Sequence, residues 1–333
     1  MSRIFRFFLW VLGMLLLLIV IAFFLPRNII VERSIFIDAS PKIVFSQVND
    51  LYNWNYWSTW SKVDPGMEII YAGKGVGVSS GFEWESENKK VGSGSLNILE
   101  SEKYDSIVFS IHFMKGGPVK SVITFRENGM GTNVSWSFLY DTNNNPFLRW
   151  RGLFMKKSVG PDIEEGLTNL DAHCKVLEEE GAYIVEMDEL KEFRYAGIRE
   201  KVSFNEISVK IGEMFGSITA YLEAKNIRIS GVPFAIYHLM DGQEIDLECG
   251  IPVTEEFIGT DKIVSGIWPS TKCATVDYVG DYYQLELAHD AIQQWITKHK
   301  FVLSGAPVEM YLTDAESEPD PENWLTRIYY PVE

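Results

Sequence analysis

A chain of 333 residues is too long for one ordinary compact core, so two folded domains are expected once any targeting segment is set aside. Hydrophobic residues at 46% and charged residues at 23% exclude a disordered chain, and 30 basic against 46 acidic side chains, a formal net charge of −16, argue against nucleic acid as a partner, because phosphate backbones require clustered Lys and Arg. Three cysteines, Cys174, Cys249 and Cys273, form no CxxC pair, which excludes a disulfide framework and a cysteine zinc site; they are expected as buried free thiols.

The first element is apolar. Residues 7–25 run nineteen positions without a charge, enough to cross a bilayer, with Arg3 and Arg6 before them. The run is long and ends in FFLPRN without a small-x-small cleavage site, so it reads as an uncleaved anchor, with membrane contact through residues 5–25. Arg3 and Arg6 nearly balance Arg27 and Arg33. The short tail favours the N-terminus inside, which would put the soluble domains on the extracytoplasmic side.

IIVERSIFIDAS (29–40) then alternates as a half-buried strand, and Ser40-Pro41 opens a helix. Strand-like runs follow at 81–84, 95–100, 106–113, 119–125 and 133–140, separated by short turns such as ENGMG (127–131), as in an antiparallel meander. GKGVGVSSG (73–81) leads into a strand and not into a helix N-terminus, so it reads as a hairpin and not as a phosphate loop. Ile163, Leu167, Leu170, Cys174 and Leu177 recur at helical spacing, with Gly181 as the stop. A meander closed by one long helix implies a curved sheet around that helix with a cavity between them. Trp54, Trp57, Trp60, Trp84 and Trp136 are read as packing of helix on sheet more than as a ligand cage. His112, without a second ligand nearby, is read as a structural histidine.

Through VERSIFIDASPKIVFSQVNDLYNWNYWSTW (31–60) and YAGKGVGVSSGFEW (71–84), the region 28–181 resembles the START-like (SRPBCC) polyketide cyclase and dehydrase superfamily. The resemblance implies a helix-grip fold with a deep hydrophobic cavity, and no particular function, since lipid carriers, receptors and cyclases share it.

From residue 182 the pattern changes. A strand pair is expected at 183–199. A helix should follow from Ser203, with Glu206 completing a capping box and Phe204, Ile207, Ile211, Met214, Phe215, Ile218, Tyr221 and Leu222 on its buried face. A second helix should follow Asp281, with Gln284 in the box and a stripe through Leu285, Ala288, Ile292 and Trp295. SGVPFAIY (230–237) after the first helix is nearly repeated by SGAPVEMY (304–311) after the second, and the closing strands end in IPV (251–253) and YPV (330–332). Two strand–helix–strand–strand units related by a pseudo-twofold would share a central groove, where ligand clefts are favoured.

FRYAGIRE (193–200), VDYVGDYYQL (276–285), SGAPVEMYL (304–312) and WLTRIYYPV (324–332) make the region 182–333 similar to the GyrI-like effector-binding family. It departs from that pattern at Arg327, where an acidic residue is expected, and at Asp281, where a proline is usual. The fold class is therefore α+β: a transmembrane helix (1–27), a helix-grip antiparallel sheet domain (28–181) and a duplicated βαββ domain with a central groove (182–333).

Glu309 stands out because it replaces Ala235 of the other repeat and, by strand alternation, shares a face with Tyr311, opposite Val308 and Met310. A carboxylate among Tyr237, Trp268, Tyr278 and Tyr311 would suit a flat apolar cation, and desolvation there would also suit a general acid or base. The plainer reading pairs Glu309 with Arg327 at the sheet surface. The resemblance implies that the matched glutamate lines the pocket, contacting cationic drugs in sensors and serving hydrolysis in some stand-alone members. Partial burial is expected for it. Glu248 is read as a solvated strand position, and DAESEPDPEN (314–323) as a solvated insertion without calcium-loop spacing.

No GxSxG, HExxH or P-loop occurs, and His112, His173, His238, His289 and His299 form no ligand pair at useful spacing, so neither metal nor cofactor is expected. The expected function is a membrane-tethered receptor or scavenger of small hydrophobic or cationic molecules. The alternatives are a hydrolase using Glu309, with Tyr237 or Tyr311 assisting, and an inhibitor-like protein-interaction module. Without a helix-turn-helix region before residue 182, direct transcriptional control is not expected.

Overall fold

The computed structural model describes residues 3–113, 118–129, 131–143, 145–241, 244–313 and 318–333, the side chains of 3–6, 240, 241 and 283 excepted. The chain splits into two compact units, Met1–Ala182 and Tyr183–Glu333. The first opens with α1 (Arg3–Phe24), whose stretch Phe7–Phe24 is long and apolar enough to cross a membrane and is almost wholly exposed.

β1 (Asn28–Ile37) leads to α2 (Pro41–Asn49), where the Ser40 hydroxyl accepts from the Ile43 N–H and Pro41 takes the first helical position. Two short helices, α3 (Trp54–Trp57) and α4 (Thr59–Val63), precede the meander β2 (Glu68–Ala72), β3 (Gly81–Glu85), β4 (Gly94–Glu102), β5 (Ser106–Phe113), β6 (Pro118–Asn128) and β7 (Gly131–Asp141). The sheet order is β1-β7-β6-β5-β4-β3-β2, antiparallel throughout, and 73–80 joins the paired β2 and β3 as a hairpin loop.

The closing helix α5 (Pro146–Glu179) starts well before the periodic stripe at Ile163, because Asn145 caps Phe147 and Leu148 while Phe147, Leu153 and Phe154 stay exposed and so break the helical pattern. At Gly152 an added Cβ would lie 1.7 Å from Ile29 Cδ1, so a larger residue there would have to push the end of the Ile29 side chain aside for α5 to keep this approach to β1. Gly181, at φ +61, lies just past the end of α5.

The second unit runs β8 (Glu186–Leu190), β9 (Phe193–Ser203), α6 (Ile207–Lys225), β10 (Phe234–Asp241), β11 (Glu244–Val253), β12 (Val264–Trp268), β13 (Thr271–Val279), α7 (Leu285–Lys298), β14 (Val308–Tyr311) and β15 (Leu325–Pro331). Its sheet order, β12-β9-β11-β10-β14-β15-β13-β8, displays the duplication: β9-α6-β10-β11 and β13-α7-β14-β15 meet at the β10–β14 pair. The expected strand pair at 183–199 does not form. β8 pairs with β13 and β9 with β11 and β12, so the two strands belong to opposite repeats. Nor does Ser203 cap α6, because it still belongs to β9, opposite Glu244; a 3-10 turn, Phe204–Glu206, intervenes and leaves Phe204 exposed. Gln284 likewise makes no side-chain cap at α7.

Both helices cover one face of this sheet. α6 packs Met214, Ile218 and Leu222 on β9 and β11, and α7 packs Ala288, Ile292 and Ile296 on β13 and β15. Ala235 lies opposite Glu309, which in turn lies opposite Ile328, so Glu309 is on the helix-covered face of the central strands, between the two apolar clusters. Val308 and Met310 point to the other face, into a third cluster with Tyr195, Phe234 and Tyr329.

Candidate functional site

β14 is short, but its position between β10 and β15 fixes where its side chains go. Glu309 is 4% exposed, so its burial is nearly complete and not partial as the sequence suggested. Oε2 accepts from the Tyr237 hydroxyl at 3.0 Å and from the Tyr311 hydroxyl at 2.8 Å, while Oε1 lies 2.9 Å from His289 Nε2. Tyr237 and Tyr311 have titration points raised well above the ordinary tyrosine value, first by burial and then by the negative charge of Glu309. Burial, and then the charges of Glu248 and Glu309, push the Cys249 thiol up to about 12.

The network continues from His289 Nδ1 to the Tyr330 hydroxyl at 2.9 Å, which also accepts from Gln293 Nε2 at 3.1 Å. Gln293 thus donates to the Tyr330 hydroxyl, and His289 bridges Tyr330 and Glu309 through its two ring nitrogens. Phe215 from α6 and Tyr282 before α7 add aromatic walls, with ring centroids 6.0 and 5.3 Å from that of Tyr311.

Of the five site residues expected from sequence, three are brought together: Glu309, Tyr237 and Tyr311. Trp268 is on the opposite face, stacked on Phe193 in the cluster of Val308 and Met310, because its register puts it across from Phe193 at the sheet edge. Tyr278 shares the helix side but packs against Tyr183 and donates to the Asp281 carbonyl, away from Glu309. Arg327 pairs with Asp277 at the neighbouring strand and does not reach Glu309. Glu248 is buried and not solvated, accepting from the Tyr195 hydroxyl and bonded to His238, each at 2.7 Å. Sequence reading passed over His289 and Tyr330. The signal was present in the spacing, since 289 and 293 stand one turn apart beside the buried stripe of α7.

The first unit contains a cavity of about 320 Å³ between α5 and the sheet. Trp60, Phe113, Trp136, Phe138 and Tyr140 face Met155, Val159 and Ile163 of α5, with Lys90, Arg151 and Asp162 among the polar lining. Burial raises the Asp162 carboxyl, with Glu165 adding to it. The tryptophans divide: Trp54 and Trp57 are core, donating to the Val48 and Gln47 carbonyls, whereas Trp60 and Trp136 line the cavity. His112 is exposed on β5, and not the satisfied structural residue expected. All three cysteines are buried free thiols. No cluster of metal-ligating side chains occurs among the described residues. Of the acidic stretch, 314–317 lie outside them.

Residues 28–175 match the family model described as polyketide cyclase / dehydrase and lipid transport, and residues 185–333 match that of the GyrI-like small molecule binding domain. The chain thus carries these two domains in that order. Among solved structures, the C-terminal domain of EcmrR is 22% identical, with 45% of this chain and 98% of that one covered and a TM-score of 0.40. SAV2435 bound to tetraphenylphosphonium is 14% identical, with 45% and 93% covered and a TM-score of 0.33. A hydrolase from Listeria innocua is 13% identical, with 45% and 91% covered and a TM-score of 0.33. No curated protein matches the chain.

Proposed function

We propose that the protein is a membrane-tethered small-molecule receptor or scavenger with two sites of different chemistry: an apolar cavity in the first unit and a cation-selective groove in the second. The observation that carries the second site is the composition of the shell around Glu309. Its partners are two phenols and an imidazole, and among the described residues no lysine or arginine reaches it. A carboxylate taken out of water costs several kcal/mol unless a counter-charge is supplied, and here the two phenols satisfy lone pairs without neutralising it, while His289 supplies a charge only when protonated. A flat aromatic cation between Phe215, Tyr282 and Tyr311 would provide the missing charge and stack on the rings. In this reading the anchor is α1, whose stretch Phe7–Phe24 is long and apolar enough to cross a membrane.

The test is calorimetric titration of the full-length protein in detergent with ethidium and with phenanthridine, its uncharged parent ring. Glu309→Gln keeps the shape and removes the charge, so ethidium affinity should fall by about 1–3 kcal/mol and phenanthridine affinity by much less. Equal losses for both, or none, would remove the cation site.

A second reading is favoured by the contact between Glu309 and His289. A carboxylate bonded to an imidazole can share the proton of an attacking water, so the pair would act as general base in hydrolysis of an activated ester. Loss of p-nitrophenyl ester turnover in Glu309→Gln, with dye binding intact, would replace the receptor reading by this one.

A further inference from the structure

Residues 146–160 at the start of α5 differ from the rest of the molecule. In a chain of net charge −16 they carry Arg149, Arg151, Lys156 and Lys157 and no acidic residue. On the same turns Phe147, Leu153 and Phe154 are exposed, at 71%, 48% and 66%, although each is a residue that folding ordinarily hides. This stretch is also where the unit holds its anchor. Arg149 is buried, and its Nη1 donates to the carbonyls of Ala22, Phe23 and Leu25 at the end of α1, where helix carbonyls run out of intrahelical partners and Ala22 keeps only the Leu25 N–H beside it. One residue on, the Trp150 indole donates to the Leu18 carbonyl at 3.1 Å, a level about 9 Å inside the end of α1 at 1.5 Å per residue.

We infer that these first turns of α5 form a surface that seats on an anionic phospholipid bilayer beside α1. The inference rests on the reading of α1 as a bilayer span. Exposed Phe and Leu enter the boundary between headgroups and chains, the indole takes the interfacial position that tryptophan favours, and the exposed Arg151, Lys156 and Lys157 meet lipid phosphates. A protein partner is the less fitting occupant, since the patch is continuous with a helix that itself needs lipid. Arg151 and Met155 of the same turns line the cavity, so seating them brings its rim to the bilayer surface.

The three native cysteines are buried, so single cysteines at exposed sites can be labelled with a fluorescent nitrobenzoxadiazole group in the full-length protein. The variants are Phe154→Cys at the proposed surface, Val176→Cys on the far half of α5, and Leu16→Cys in α1, in vesicles of three parts phosphatidylcholine to one part phosphatidylglycerol. A label at 154 should be quenched by chain-labelled nitroxide lipid, at least twofold more strongly than one at 176, and be shielded from aqueous iodide. Loss of lipid quenching at 16 would instead remove the bilayer span on which the inference rests. With 16 quenched, iodide access at 154 equal to that at 176 overturns the inference, and a label shielded from both quenchers overturns it in favour of a protein contact. In pure phosphatidylcholine the quenching at 154 should fall at least twofold. Unchanged quenching there would overturn the assignment to anionic lipid.

Discussion

The two units each lay helices on an antiparallel sheet, yet they leave opposite things between the layers. In the first, one long helix spans the sheet, and a cavity of about 320 Å³ lined by Trp60, Trp136, Met155 and Val159 stays open between them. In the second, two shorter helices cover the outer strands, and the central pair β10–β14 is filled by Glu309, Tyr237, Tyr311 and His289 bonded to one another. The difference teaches how each would recognise a ligand. An open apolar volume selects by size and hydrophobic area, whereas a hydrogen-bonded shell around a buried carboxylate would select by charge in the function proposed above and would have to rearrange to admit its ligand.

The comparison breaks first if the units do not fold separately. Trp54 is 2% exposed and touches Trp57, Phe82, Phe109 and Trp136, so Trp54→Ala should cost about 3–5 kcal/mol in the first unit. Calorimetry should show one transition lowered and the other unmoved; a common shift would make the chain one cooperative body.

A smaller effect is expected at high pH, where it should sharpen the contrast. Tyr237 and Tyr311 titrate well above their ordinary value in the folded state, so their contribution is complete below about pH 10, the unfolded value, and is lost as pH rises through the folded one. Cys249 acts in the same direction between about 9 and 12. The second unit should therefore unfold cooperatively above pH 10, with these phenols ionising only then, as followed at 295 nm. Smooth tyrosine titration without unfolding would mean the groove is wet.

Smaller again is His289→Ala, which leaves Glu309 Oε1 without its partner and the Tyr330 hydroxyl with Gln293 alone, and should cost about 1–3 kcal/mol in the second unit alone. An unchanged melting temperature would mean that water replaces the imidazole freely.

Much of this was legible in the sequence wherever periodicity spoke. The meander, the duplication and the face of Glu309 followed from alternation in 106–113 and 304–311, because a strand's two faces are fixed by its period. What periodicity cannot give is pairing between distant strands. Trp268 was grouped with Glu309 although its partner is Phe193, and the strand at 186–190 was paired with its chain neighbour although it closes the far edge of the sheet. The early start of α5 was hidden for a different reason: its apolar residues face outward, so no buried stripe marks those turns. His289 was passed over because its partner, Glu309, lies on another element and no spacing rule links them.

The most direct test of two chemically distinct sites crosses two variants with two probes in the full-length protein in nanodiscs. Val159→Trp fills the cavity of the first unit, and Glu309→Gln removes the charge of the second. The expected result is that Val159→Trp abolishes binding of a dansyl-labelled undecanoate and leaves ethidium affinity intact, while Glu309→Gln weakens ethidium about tenfold or more and leaves the dansyl probe bound. If either variant affects both probes alike, or each probe answers to the other unit's variant, the assignment of an apolar site to the first unit and a charged one to the second is wrong.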